Sequence, residues 1–214
     1  MKHNPKFGET YLMSPTMLIY QNSLISKQLL RYGLSSFTSE FVFGKNYKQT
    51  LENMYNTSLC ELKKSKEPPN TMHKYGASNI VTTNEFDNLK MMLLPYIHEM
   101  YGIDPCKKCY LFTDFSVHYG SSYDRKLNEH VDDSDITINI CLKNTLKYTG
   151  LKFTHTPDTL FSVKSGNATF VNFEEGDILI HSGKQRHMVQ QLTDEQILDY
   201  GERVNLILWL KFRL

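Results

Sequence analysis

From Tyr110 almost to its end the sequence is a run of short strand-like segments cut by turn residues, which leaves few architectures open. Residues 110–119 read as one strand, with Gly120-Ser121-Ser122 as its turn, and Leu127 leads into His130. Residues 136–142 alternate Ile136, Thr137, Ile138, Asn139, Ile140, Cys141, the period-two signature of a half-buried strand. Further strands are expected at 150–155, closed by Pro157, and at 168–171, 176–181, 186–192 and 204–212. About seven or eight short strands behind a helical first third predict an α+β chain that is mainly β. The expected architecture is a double-stranded β-helix (jelly roll) with supporting N-terminal helices packed on one side.

Pro68-Pro69 marks the boundary of that first third, because neither proline fits a helix interior. Residues 1–67 are read as an N-terminal segment packed on the core, and 68–214 as the jelly-roll domain. Within the segment, Leu24, Leu29, Leu30 and Leu34 give a short amphipathic helix ending near Gly33. Phe37, Phe41, Val42 and Phe43 form an aromatic cluster read as a strand, and 54–66 have helical spacing that ends in the solvated charge run 61–67. Residues 69–76 form an ordered loop feeding a strand at 77–81. A helix then starts near Thr83, with a core stripe of Leu89, Met92, Leu93, Tyr96, Ile97 and Met100. Pro95 lies inside that stripe and predicts a kink or an early end.

At 214 residues, 40% hydrophobic and 12% aromatic, the chain can bury a core and is not of disordered composition. A net charge of +1 gives no sign of a general polyanion binder, although it allows a local basic groove, and a nucleic-acid partner is not expected. No apolar stretch is long enough for a membrane span or the core of a secretory leader, so a soluble, intracellular protein is expected. Cys60, Cys106, Cys109 and Cys141 are too few for a disulfide scaffold; Cys106-Lys107-Lys108-Cys109 lacks a second pair of the same spacing and reads as two free thiols in a turn.

Chemistry concentrates at His130-Val131-Asp132. Residues two apart on an extended chain point to one face, so an imidazole and a carboxylate can converge on one metal ion. A further histidine would complete two His and one carboxylate, the set that leaves positions open on iron(II). His181 and His187, in the segment after Gly176-Asp177-Ile178-Leu179-Ile180, are the two candidates, since a jelly roll pairs strands distant in sequence. Arg203 opens an otherwise apolar strand, an expensive burial unless the guanidinium meets an anion. That makes it the natural anchor for a dicarboxylate co-substrate, with a surface ion pair to Glu202 or Asp194 as the alternative.

These elements, in this order, resemble the iron(II)- and 2-oxoglutarate-dependent dioxygenases, in the branch that holds prolyl and lysyl hydroxylases. HVDDSDITINICL is similar to the lysyl hydroxylase segment that opens with His-x-Asp, and GDILIHSGKQRH to the family's strand that leads to the distal histidine. GERVNLILWL and PPNTMHKYG are similar to segments of a subgroup named for its 2-oxoglutarate and iron-dependent oxygenase domain. The resemblance covers about residues 68–212. It implies that His130, Asp132 and His187 bind iron(II) and that Arg203 binds the distal carboxylate of 2-oxoglutarate. Thr137, Asn139 and Tyr119 are expected to line the co-substrate pocket. Asp194 to Asp199 lengthen the gap between His187 and Arg203 beyond the family's usual spacing and read as a hairpin-loop insertion, which leaves His181 in contention. The implied reaction consumes O2 and 2-oxoglutarate, with ascorbate in support, releases succinate and CO2, and hydroxylates a proline or lysine side chain of a protein or peptide partner. Alternatives are a nucleic-acid or small-molecule 2-oxoglutarate oxygenase, or a non-catalytic cupin-like binding protein. Against the nucleic-acid reading, the demethylases carry a second arginine six residues after the first, where this chain has Trp209.

Overall fold

A computed structural model of the chain describes residues 34–65, 67–146, 149–154, 168–197 and 201–214. Residues 24–33 of the expected helix and the strand end at His155 and Pro157 lie outside these residues, while Leu34, counted in that helix's apolar stripe, opens a strand instead. Strand β1 (Leu34–Thr38) leads into helices α1 (Ser39–Phe43) and α2 (Tyr47–Lys64), then β2 (Gly76–Ser78) and helix α3 (Thr83–Tyr101). Strands β3 (Lys108–Gly120), β4 (Leu127–His130), β5 (Ile136–Asn144), β6 (Gly150–Thr154), β7 (Ala168–Asn172), β8 (Asp177–Ser182) and β9 (His187–Val189) follow. A short helix α4 (Asp194–Ile197) precedes the closing strand β10 (Glu202–Arg213). The strands form a six-stranded sheet, β1-β8-β5-β10-β3-β2, and a four-stranded sheet, β4-β9-β6-β7. Every strand pair is antiparallel. This is the expected jelly roll with helices on one side.

The larger sheet separates two cores. Ile136, Ile138, Ile140 and Leu142 of β5 pack with Val204, Leu206, Leu208 and Leu210 of β10 against Leu51 and Met54 of α2 and Leu89, Leu93 and Ile97 of α3. On the other side, Phe115, Val117, Cys141 and Ile207 meet Leu151, Phe153, Val171 and Val189 of the smaller sheet. The alternation of β5 is therefore not that of a half-buried strand. Thr137 and Asn139 are only 1% and 4% exposed, because the second sheet covers the face that would otherwise be wet.

Local chemistry accounts for other departures from expectation. Only Phe37 of the aromatic cluster lies in a strand: the Thr38 hydroxyl accepts the Phe41 N–H at 3.3 Å and starts α1, so Phe41, Val42 and Phe43 are helical. The cluster still forms in space, with Phe37 stacked on Phe41 at 5.7 Å and against Tyr96 at 5.3 Å. Thr82 and Glu85 cap α3 reciprocally, each side chain bonding the other's backbone N–H. Pro95 does not end that helix, which runs on to Tyr101. Pro95 and Met91, whose carbonyl loses its helical partner, are both exposed, so the carbonyl is not sealed from solvent by the core. β9 is shorter than the strand expected at 186–192.

Candidate metal and co-substrate site

His130 and Asp132 do not share one strand. His130 ends β4 in the smaller sheet, Asp132 lies in the following loop, and β5 begins in the larger sheet at Ile136. The turn after β8 holds this loop in place: the Asp132 N–H donates to the Gly183 carbonyl at 2.8 Å, and the Gly183 N–H to that of Asp135 at 3.1 Å. Only glycine allows that approach, since a Cβ at 183 would stand 2.1 Å from the Ser134 carbonyl oxygen. The pairing of β4 with β9 then sets His130 opposite His187.

The result is a facing set of donors. His130 Nε2 lies 3.4 Å and His187 Nε2 3.8 Å from Asp132 Oδ1, and one donor atom from each of the three residues lies within 4.8 Å of the others. Both imidazoles are oriented from behind. Nδ1 of His130 donates to the Asn128 carbonyl and Nδ1 of His187 to the Gln185 carbonyl, each at 2.9 Å. A carbonyl only accepts, so the proton is on Nδ1 and the Nε2 lone pair faces the centre, the form in which histidine ligates a metal. Burial, reinforced by His181, lowers the pKa of His187 to about 3 and keeps it neutral. Burial alone would raise the Asp132 pKa. In the metal-free site the Nε2–H of a protonated His130, whose pKa the same contact raises, and the Thr137 hydroxyl outweigh it and hold the carboxyl below its usual range; once that proton leaves, the same Nε2 presents its lone pair. Thr137 donates to Asp132 Oδ2 at 2.6 Å and is itself bonded to Ser134 at 2.8 Å, so it orients the carboxylate as well as lining the cavity.

His181 is also here. It is fully buried, its Nδ1 lies 2.9 Å from the Ser182 carbonyl, and its Nε2 lies 4.0 Å from Asp132 Oδ2 with no hydrogen-bond partner. The geometry brings both histidines to Asp132 and gives the mutually facing position to His187.

The set opens onto a cavity lined among others by Tyr119, Asn139, Arg203, Asn205 and Trp209. Arg203 is 1% exposed, with its guanidinium 4.7 Å from the centre of the Tyr119 ring. Its Nε and Nη1 have no hydrogen-bond partner among the described residues, and burial pushes its pKa down. The surface ion pairs considered for it do not form, since Glu202 is bonded to Tyr55 and Asp194 to Arg125. Asn205 donates to Asn139 Oδ1 at 2.7 Å and leaves its own Oδ1 unpaired. An unpaired buried guanidinium beside two histidines and a carboxylate fits an anion held next to a metal ion.

Asn205 and His73 were missed as site residues in the sequence. Asn205 could have been found from the period-two step beyond Arg203, which puts both on one face of β10. For His73 the available signal was its place in the PPNTMHKYG segment.

No protein-family model matches the sequence. Among curated relatives, 2-oxoglutarate and iron-dependent oxygenase domain-containing protein CP2 of Arabidopsis thaliana is 31% identical over 157 residues, covering 67% of this chain. The chain spans 36% of that relative's length. Among solved structures, a Pseudomonas putida prolyl-4-hydroxylase superposes with a TM-score of 0.56 at 16% identity, covering 89% of this chain and 98% of the other. The non-heme alpha ketoglutarate dependent carbocyclase SnoK from nogalamycin biosynthesis gives 0.59 at 9% identity, covering 90% and 85%. The fold is thus the double-stranded β-helix of 2-oxoglutarate oxygenases. The chain belongs to the 2-oxoglutarate and iron-dependent oxygenase family, and membership implies iron(II), 2-oxoglutarate and O2. Among the described residues, no helix is long and apolar enough to cross a membrane.

Proposed function

We propose that the protein is an iron(II)- and 2-oxoglutarate-dependent dioxygenase that hydroxylates a proline or lysine side chain of a protein substrate. His130, Asp132 and His187 hold the metal, and Arg203 takes the distal carboxylate of 2-oxoglutarate. The observation that carries this reading is Arg203, buried and unpaired on the wall of the cavity that the three donors line. Bound iron(II) would supply the redox chemistry that couples decarboxylation of 2-oxoglutarate by O2 to hydroxylation of a C–H bond. One atom of O2 would end in the new carboxylate of succinate and the other in the alcohol, while CO2 leaves with the oxygens of the 2-oxoglutarate carboxylate. The chain's own part is placement. The Asn128 and Gln185 carbonyls aim the two imidazoles, Thr137 and Ser134 aim the carboxylate, and Tyr119 supports the guanidinium. Phe115 and Ile207 keep part of the cavity wall apolar, which limits water around the charged co-substrate. The protein-substrate reading is supported by the resemblance to peptidyl hydroxylases and by the prolyl-4-hydroxylase among the fold's neighbours.

The test is succinate release from 2-oxoglutarate by the iron(II)-loaded protein under air with ascorbate, with and without proline-rich and lysine-rich peptides. Basal turnover that rises with one peptide supports the reading and names the side chain. Turnover indifferent to peptides moves the substrate to a small molecule. His130→Ala and Asp132→Ala should each abolish turnover while the melting transition survives, and undiminished turnover in either would overturn the ligand assignment. Iron content of His181→Ala beside His187→Ala tests the distal ligand: loss is expected in the second.

A further inference from the structure

The loop from Pro69 to Gly76 has no part in the ligand set, yet it delivers Met72 and His73 to the cavity wall, and His73 is the polar one. It is bolted to β3 from outside. The Tyr75 carbonyl accepts the His118 N–H at 3.0 Å, and Asp124 Oδ2 accepts the N–H groups of Lys74 at 2.9 Å and Tyr75 at 3.3 Å. Gly76 lies so close to β3 that a Cβ there would stand 2.1 Å from the Ser116 carbonyl oxygen. Inside this frame Asn70 Oδ1 accepts three donors: the Met72 N–H at 2.9 Å, the His73 N–H at 3.1 Å and His73 Nδ1 at 2.9 Å. Two backbone N–H groups on one atom identify it as the amide oxygen, so the ring proton of His73 sits on Nδ1 and its Nε2 is a lone pair. That lone pair lies 3.3 Å from the Tyr119 hydroxyl.

Both partners keep these roles at neutral pH. Burial lowers the His73 pKa to about 4, so the ring is a neutral acceptor, and burial pushes the Tyr119 phenol up, so it keeps its proton. His73 is 5% and Tyr119 2% exposed, so water does not compete freely for the bond. The Tyr119 ring, tied at its hydroxyl, is the surface against which the Arg203 guanidinium lies.

We propose that His73 is a positioning residue for the co-substrate pocket: clamped by Asn70, it accepts the Tyr119 hydroxyl proton and fixes the ring that holds Arg203 in place. This rests on the reading of Arg203 as the carboxylate anchor. It gives the 69–76 segment a task that neither the metal set nor the substrate reading uses.

The test is 2-oxoglutarate affinity of the manganese(II)-loaded protein, measured by calorimetry, so that the readout does not depend on turnover. Wild type, His73→Phe, Tyr119→Phe and the double variant form a cycle. Each single change is expected to raise the Kd roughly three- to tenfold, the scale of one buried hydrogen bond, and the double change no further. His73→Gln should recover most of the affinity, because its amide oxygen can accept the same proton. Losses that add in the double variant, or an unchanged Kd in His73→Phe, would overturn the proposal. So would a loss that Gln does not relieve in a protein with a wild-type melting transition. A wild type that binds no 2-oxoglutarate overturns the anchor itself, a result distinct from a binding wild type with an additive cycle.

Discussion

On β10, Val204, Leu206, Leu208 and Leu210 face the helices while Arg203, Asn205 and Ile207 face the smaller sheet, and both rows are buried. The helix-facing row is wholly apolar and meets the side chains of α2 and α3. The sheet-facing row sets polar atoms without partners, Arg203 Nε and Nη1 and Asn205 Oδ1, into a cavity. An unmade buried hydrogen bond costs about 1–3 kcal/mol, and more for a charged group. One face of the strand therefore serves stability, and the other sustains a cost that an anion bound as proposed would offset.

Replacing Arg203 should separate the faces most widely. Arg203→Leu is expected to raise the 2-oxoglutarate requirement by roughly two to three orders of magnitude, the loss that follows removal of one partner from a buried charge pair. The ligand-free protein should melt no lower than wild type, since the change removes an unpaired buried charge. Melting curves with and without 2-oxoglutarate read both effects, and a ligand-induced rise that survives in the variant would return Arg203 to a structural role. On the opposite face the effects should invert. Ile138, 1% exposed, should cost about 2–5 kcal/mol as Ile138→Ala, measured by denaturant unfolding. Its 2-oxoglutarate affinity should stay that of wild type under conditions where the variant is folded, and a fall in affinity would show the two faces to be coupled.

The smallest expected effect is one of protons. His118, on the helix-facing side and bonded to Ser58, and His73, on the cavity side, are both held by burial at a pKa of about 4, below the unfolded value of 6.5. Between those limits the unfolded chain binds more protons than the folded one, so stability should fall as pH drops from about 6.5 to about 4. Melting temperature against pH for the metal-free protein checks this. His118→Phe should flatten the profile only in part, because His73, His181 and His187, which burial also shifts down, remain, and a profile already flat in the wild type would contradict the burial of these rings.

Much of the site could be seen in the sequence because its parts sit in local patterns. The alternation of β5 and the single arginine at the head of β10 both survive into the structure, as does His-x-Asp ahead of a strand. What alternation does not state is what covers each face. Alternation alone would leave Thr137 and Asn139 on the wet side of a half-buried strand; it was the family resemblance that put them at a pocket, and they line the cavity because a second sheet lies over them. Phe41 to Phe43 have strand-like composition, but the Thr38 cap outweighs it and makes them helical. His73 was hidden for another reason: its role depends on Asn70, Tyr119 and the docking of a loop on β3, none of which leaves a periodic trace.

The sequence by itself determined most of the strands after Tyr110, the order of the chemical groups along them and the family. These follow from periodicity, turn residues and motif order, all local properties of the chain. Only the tertiary structure decided that His187 groups with His130 and Asp132 while the fully buried His181 reaches Asp132 alone, and that Arg203 is buried with Nε and Nη1 unpaired among the described residues. Those facts depend on registers between strands far apart in sequence, and on one close approach at Gly183. Side chains that converge across two sheets are positioned by contacts that no short stretch of residues contains.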